Sequence, residues 1–359
     1  MIYLDYQATT PLAPEALEAM LPWLRDQHAN PHSAHGPGRA AKAAVEVARG
    51  QVAALLPAGG TVSFTGGATE ALNWAIKGAG GPIVTIATEH AAVLDTVAAI
   101  GGAVVLPVRH DGLVDLDAAR AAIRPGVKLV AAMLVNNEIG VIQPIADLAA
   151  LAHQAGALFL CDAVQGYGRM AIPEGCDLIA LSAHKIHGPK GIGALWIRQG
   201  IALEPLLHGG GQEVAGRSGT LSPALCAGFG AAAALMATRR DRDAAHVERL
   251  WSVARAALSA DWIVNGSIEH RYHGNLNIRR DGLDVARLMS DLRDIAFSAG
   301  SACASGSGRP SHVLEAIGLS DAQARNSIRI GFGRYTTEEE LVNALKRIDA
   351  AARAQRIAA

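Results

Sequence analysis

The 359-residue sequence predicts an α/β fold: a mainly parallel, seven-stranded sheet flanked by helices, with a smaller α+β domain beside it. Three observations predict it. From about residue 61 to 198, short apolar runs alternate with amphipathic segments. Those segments carry apolar residues at helical spacing and end in Gly or Pro. After about residue 240 the alternation gives way to charged helical sequence and a shorter mixed region.

Taken in order, the runs are "TVSFT", "PIVTIAT", "AVVLPV", "KLVAAMLV", "ALFLCDA", "DLIALSAH" and "GALWI". Continuous apolar runs of this length suit strands covered by helices on both faces. Between them, "LDAARAAI" and "IADLAALAHQAG" have the helical period. The uncharged stretch from Ser218 to Thr238 is broken by Gly219, Pro223, Gly228 and Gly230. Its remaining apolar segment is shorter than the roughly 20 residues a membrane span needs, and reads as a buried helix. "DRDAAHVERLWSVARAAL" predicts a charged helix, and a Gly/Ser-rich loop follows around Cys303. The division expected is a large domain over residues 13–240 and a small one beyond it.

A net charge of -1 supplies no basic field, which excludes nucleic acid and an anionic membrane as expected partners. The first residues, "MIYLDYQATTPLAPEA", lack the basic and long apolar regions of a secretory signal. Cys161, Cys176, Cys226 and Cys303 are widely spaced without a C-x-x-C pair, so neither a metal site nor a disulfide framework is expected, and a cytoplasmic location is.

In a sheet of this kind ligands bind beyond the carboxyl ends of the strands. Five of those ends carry chemistry: Gly66-Gly67-Ala68-Thr69-Glu70, Glu89-His90, Asn136-Asn137-Glu138, Asp162, and Ser182-Ala183-His184-Lys185. The glycines with Thr69, opening a helix, read as a phosphate cradle of free N–H groups, or more plainly as a turn with a Thr cap. Asp162 reads as a partly desolvated carboxylate needing a cation, or as a helix cap. Lys185 reads as an exposed loop lysine, or as an amine able to lose its proton and form a Schiff base. Together the cradle, the acid and the lysine describe pyridoxal 5'-phosphate, with the imine on Lys185, Asp162 at the pyridine nitrogen, and the phosphate at Thr69, Ser182 and His184. His90 is then placed to stack on the ring and shuttle protons.

The stretches "YLDYQATTP", "GGATEALNWAIKG", "ATEHAAVLDT", "VNNEIGVIQPI", "CDAVQGYGR", "LSAHKIHGPKGIGALW", "GGGQEVAGRSGTLS", "SAGSACASG" and "NSIRIGFGRYTTEEE" resemble, in order, the cysteine desulfurases of the class V aminotransferase group. The resemblance covers nearly the whole chain. It implies the fold type I architecture of pyridoxal-phosphate enzymes, a homodimer, and a small domain made of residues 1–12 and 241–359. It implies Lys185 as the Schiff-base lysine, Asp162 at the ring nitrogen, Gln165 at the ring hydroxyl, and Ala68, Thr69, His90, Ser182 and His184 around the cofactor. Thr220 would reach the phosphate from the other subunit. Asn137 and Arg329 would take the substrate carboxylate, and Cys303 would accept sulfur from L-cysteine, leaving L-alanine. Gln7 departs from the small polar residue or Asn often found at that place. A protein acceptor for the sulfur is implied without being identified.

Composition supports Cys303 independently. Cys161 lies in an apolar strand run and Cys226 in an apolar helix, whereas "SAGSACASGSGR" is too polar and glycine-rich for a core. The rival readings are a selenocysteine lyase or a small-substrate aminotransferase on the same scaffold, and a binding protein that kept the pocket without turnover. Lys185 and Asp162 would serve any of the enzymes, so only Cys303 and its loop discriminate among them, and the pairing of Lys185 with Cys303 argues against the binding protein.

Overall fold

The computed structural model describes residues 1–300 and 311–355. It begins with strand β1 (Ile2–Tyr3) and helices α1 (Pro14–Arg25) and α2 (Gly36–Ala53). The alternating part follows: β2 (Gly60–Thr65), α3 (Ala68–Ala79), β3 (Ile83–Ile86), α4 (Ala91–Ile100), β4 (Val104–Leu106), α5 (Leu116–Ala122), β5 (Leu129–Met133), α6 (Ile145–Gln154), β6 (Leu158–Asp162), β7 (Leu178–Ser182) and β8 (Gly193–Arg198). All seven expected runs are strands of one sheet, in the order β2-β8-β7-β6-β5-β3-β4. Every residue of β3, β5 and β7 is buried, which is why their sequences run continuously apolar instead of alternating.

Only β8 runs against its neighbours β2 and β7, and the other pairs are parallel. Parallel neighbours need a crossover, whereas an antiparallel pair is joined by a short reversal. The reversal from β7 to β8 is the segment 183–192, and it carries Lys185. Because β8 is antiparallel on both sides, β2 points the same way as β7. The carboxyl ends of β2, β3, β5, β6 and β7 therefore share one edge.

The chain then forms α7 (Pro223–Ala257), a helix of 35 residues, capped by the Ser222 hydroxyl and with Pro223 in its first turn. It runs unbroken through residue 240, where the composition changes. Its first half buries Cys226, Phe229 and Met236 in the core below the seven-stranded sheet. Its second half buries Leu250, Trp251 and Ala254 in another core. That second core is built with β9 (Ile263–Val264), β10 (Asn275–Arg279), α8 (Val285–Asp291), β11 (Ile295–Ala296), β12 (Ser298–Ala299), β13 (Ser327–Gly331) and α11 (Glu338–Ala354), whereas α9 (His312–Ala316) and α10 (Asp321–Arg325) bury Val313, Leu314 and Ala324 against Leu113, Ile139 and Val141. Strands β12, β13, β10 and β9 form an antiparallel sheet in that order. The N-terminus belongs with it in space, because β1 pairs with β11 and Leu4 is buried beside Leu276, Ile328 and Leu341. Thr337 and Glu340 close a capping box at the start of α11. Among the described residues no helix is long and apolar enough to cross a membrane.

Candidate active site

A cavity of about 460 Å³ opens at the carboxyl edge of the sheet. Lys185 projects into it from a single 3-10 turn, Ala183–Lys185, that ends β7. The turn is locked to the N-terminal segment: Thr10 N–H donates to the His184 carbonyl at 2.9 Å, and Ala13 N–H to the His187 carbonyl at 2.9 Å. The Lys185 ammonium in turn donates to the Gln7 carbonyl and, at 2.8 Å, to the Ala8 carbonyl. Main-chain oxygens thus hold the amine at the mouth of the cavity.

Asp162 ends β6 and lines the same cavity. One of its oxygens accepts from Val164 N–H at 3.0 Å, so the plain role of a turn cap is real as well. Burial pushes its carboxyl above the ordinary value, while the Val164 bond and the charges of His90 and Lys185 pull it back. His90 caps α4: its Nδ1 accepts from Ala92 N–H at 3.0 Å, which leaves the ring proton on Nε2. Burial lowers its pKa, so the ring that lines the cavity is neutral.

The cradle forms where β2 turns into α3. The N-cap is Gly67, and no side chain caps the helix, so the Thr cap that the sequence allows is not made. A Cβ built on Gly67 meets no atom within 4 Å, whereas one on Gly193 behind it would lie 2.7 Å from the Gly67 backbone. The strand therefore packs tightly behind the cradle and leaves its front open. Ala68, Thr69, Ser182 and His184 line this end. The His184 Nδ1 shares a hydrogen bond with the Thr9 hydroxyl at 3.1 Å, and burial, with Lys185 and Lys190 nearby, lowers its pKa to about 4.

Asn137 and Arg329 also line the cavity. Arg329, in β13, is 1% exposed. Its Nη1 donates to the Asn137 carbonyl at 3.0 Å and its Nη2 to Asp5 at 2.8 Å. Of the triplet after β5, Asn137 alone faces the cavity. Asn136 turns inward to the Thr88 carbonyl at 2.8 Å, and Glu138 to the Ser311 hydroxyl. Gln165 lines the cavity between Asp162 and the N-terminal segment, donating to the Gln7 carbonyl at 2.9 Å.

Thr220 is exposed and lies outside the cavity. Its segment is nevertheless tied to the cradle, since Arg217 pairs with Glu70 at 2.8 Å and Glu70 accepts from Gly66 N–H at 2.7 Å. Cys303 lies outside the described residues. The three cysteines described are all buried. The sequence reading missed the carbonyls of Gln7 and Ala8, because a main-chain acceptor leaves no mark on residue type. It also missed Asp5 and Lys190. Asp5 lies within the quoted "YLDYQATTP" stretch, which was its only available signal.

An uncapped helix N-terminus, a lysine amine, a buried acid and a buried arginine thus meet around one cavity at the carboxyl edge of the sheet, as the class V aminotransferase scaffold requires. The model of that family, described as aminotransferase class-V, matches residues 2–344. The mitochondrial cysteine desulfurase of Saccharomyces cerevisiae is 46% identical over 97% of this chain and 74% of its own length. A NifS-like protein of Rickettsia africae, solved by X-ray, superposes with a TM-score of 0.91 at 30% identity, covering 98% of this chain and 99% of that one. A structure described as SspA in complex with cysteine gives 0.82 at 34% identity, covering 94% and 100%. The chain belongs to the cysteine desulfurases of the class V aminotransferase family. These relatives do not favour the selenocysteine lyase or aminotransferase alternatives.

Proposed function

We propose that this cavity takes sulfur from L-cysteine, gives L-alanine, and leaves the sulfur as a persulfide on Cys303. The overall change balances without an outside oxidant: the C–S bond of cysteine breaks, its carbon takes a proton, and an S–S bond forms on the Cys303 sulfur. The observation that carries the reading is the convergence of Lys185, Asp162, Arg329 and the open α3 N-terminus on one cavity.

The residues fit pyridoxal 5'-phosphate, which the family implies. The front of the Gly67 cradle is open, its helix lacks a side-chain cap, and a buried acid stands at the far end. When bound, that group supplies an aldehyde for amines and a ring that withdraws electrons. Lys185 would hold it covalently, Asp162 would face the ring nitrogen, Gln165 the ring hydroxyl and His90 the ring face. The α3 N-H groups, Thr69, Ser182 and His184 would hold the phosphate. Arg329 and Asn137 would grip the substrate carboxylate, the guanidinium offering a fork that lysine lacks. The Lys185 amine would take the proton from the substrate Cα, and the Gln7 and Ala8 carbonyls would receive the resulting ammonium. Cys303 as sulfur acceptor rests on its sequence context and on the burial of the other three thiols, which denies them a mobile persulfide. Sulfur passed on from a cysteine persulfide suits a reducing cytoplasm, with an iron-sulfur or thiolation route as the acceptor.

The test is to incubate the loaded protein with L-cysteine and a thiol reductant and to measure sulfide and alanine together. Equal amounts support desulfuration, and an oxo-acid product would refute it. Cys303→Ser should keep its affinity for the cofactor while sulfide release falls about a hundredfold or more; undiminished sulfide would move the role to another residue.

A further inference from the structure

We infer that Arg169 is a positioning residue that fixes the polarity of the Gln165 amide, and through it the charge on the cofactor's ring oxygen. This rests on Gln165 being the partner of that oxygen. Arg169 lies in the turn segment after β6 and outside the active-site cavity, bordering instead a second one of about 250 Å³. Its guanidinium sits 5.1 Å over the Tyr272 ring. Nη1 donates to the Gln165 carbonyl at 2.7 Å and to Gln165 Oε1 at 3.0 Å, and Nη2 donates to the Lys185 carbonyl at 2.6 Å.

A guanidinium offers donors only, so the Gln165 amide must turn its oxygen toward Arg169. On the other side, Gln165 Nε2 donates to the Gln7 carbonyl at 2.9 Å, and a carbonyl accepts only. A flipped amide would set nitrogen against guanidinium and oxygen against carbonyl, losing both bonds. Two neighbours of fixed polarity therefore leave Gln165 an N–H to present to the cavity. A ring oxygen that receives this N–H is favoured as the oxyanion over the hydroxyl. The same guanidinium pins the main chain of Lys185, so one side chain sets both the amine-bearing residue and the amide. Three acceptors, two on one nitrogen and one on the other, suit the arginine fork, and lysine would serve only part of them.

The test uses the unloaded protein titrated with pyridoxal 5'-phosphate, reading the dissociation constant and the pH midpoint of the visible band. Arg169→Met is expected to weaken binding about tenfold, the loss of one oriented charge-assisted bond. Its midpoint should rise by about one pH unit, because the ring oxygen loses a donor. Arg169→Lys should fall between the two proteins in both readings. With 3-deoxypyridoxal 5'-phosphate, which lacks the ring oxygen, the loss of affinity in Arg169→Met should be smaller than with pyridoxal 5'-phosphate, because only the hold on the Lys185 main chain is then lost. Wild-type midpoint and affinity in Arg169→Met, beside a clear shift in Gln165→Ala, would overturn the role of Arg169. No shift in Gln165→Ala would instead overturn the reading of Gln165 itself. Thermal unfolding of the unloaded proteins identifies a variant that fails to fold. Should Arg169→Met fail, Arg169→Lys decides alone, and wild-type values in it overturn the inference.

Discussion

An ammonium drawn into a cleft must find acceptors, and Lys185 finds them in the carbonyls of Gln7 and Ala8. Removing the amine leaves the cleft intact but takes away its covalent anchor. Lys185→Ala is therefore expected to fold normally yet lose the visible absorption that the wild-type protein gains with pyridoxal 5'-phosphate; a variant that keeps the band would contradict the role. Two residues further on, His187 is buried, adopts a positive φ of 69°, and donates through Nδ1 to the Pro11 carbonyl at 3.0 Å. Burial, with Arg334 nearby, lowers its pKa to about 3. The unfolded chain binds that proton first, so the neutral buried ring contributes stability that is full above the unfolded value near 6.5 and is lost as pH falls toward 3. Asn tolerates positive φ and carries no such proton. Between pH 7 and pH 4 the melting temperature of wild type should accordingly fall further than that of His187→Asn, and parallel curves would refute the account. Lys185 and Asp162 were legible because their type is costly at a strand end. The Gln7 and Ala8 carbonyls were not, since every residue carries one, and Arg169 acts through residues that looked functional by themselves.

At the scale of elements, the strands were legible almost residue by residue, because burial on both faces forces an unbroken apolar run. Helix α7 was not. The charged stretch "RRDRD" reads as the end of one helix and the start of another, yet it lies between two buried faces of a single helix. Asp243 pairs within the helix with Arg239 at 3.7 Å and across to Arg334 at 2.6 Å. The first half of α7 reaches α2 through missing side chains. A Cβ on Gly230 would lie 2.3 Å from Gln51 Oε1 and 2.7 Å from the Ala48 Cα. The backbone of α2 has no room to yield, so Gly230→Leu is expected to destabilise the protein by about 1–3 kcal/mol or more in denaturant unfolding. An unchanged midpoint would mean that the helices separate more easily than their packing implies.

For the whole molecule, two exposed features bear on association. Thr220 is exposed, and Leu17, Leu21 and Leu24 form an apolar stripe along the outer face of α1. Both are accounted for if two chains associate and each lends Thr220 to the other's cradle, the arrangement the family resemblance implies. Mixing Lys185→Ala chains with Thr220→Ala chains then creates, in each heterodimer, one site with an intact lysine and an intact borrowed threonine. Activity in the mixture should exceed that of either variant alone, approaching about a quarter of wild type if exchange is statistical. No gain on mixing, with exchange verified, would place Thr220 in the service of its own chain.

The unbroken course of α7 also bears on how the protein comes apart. One rod of about 50 Å anchors both apolar interiors, so neither can melt while the other keeps its helix. Heating should give a single calorimetric transition, and amides at Phe229 and Leu250, at opposite ends of the rod, should exchange with solvent through the same opening event.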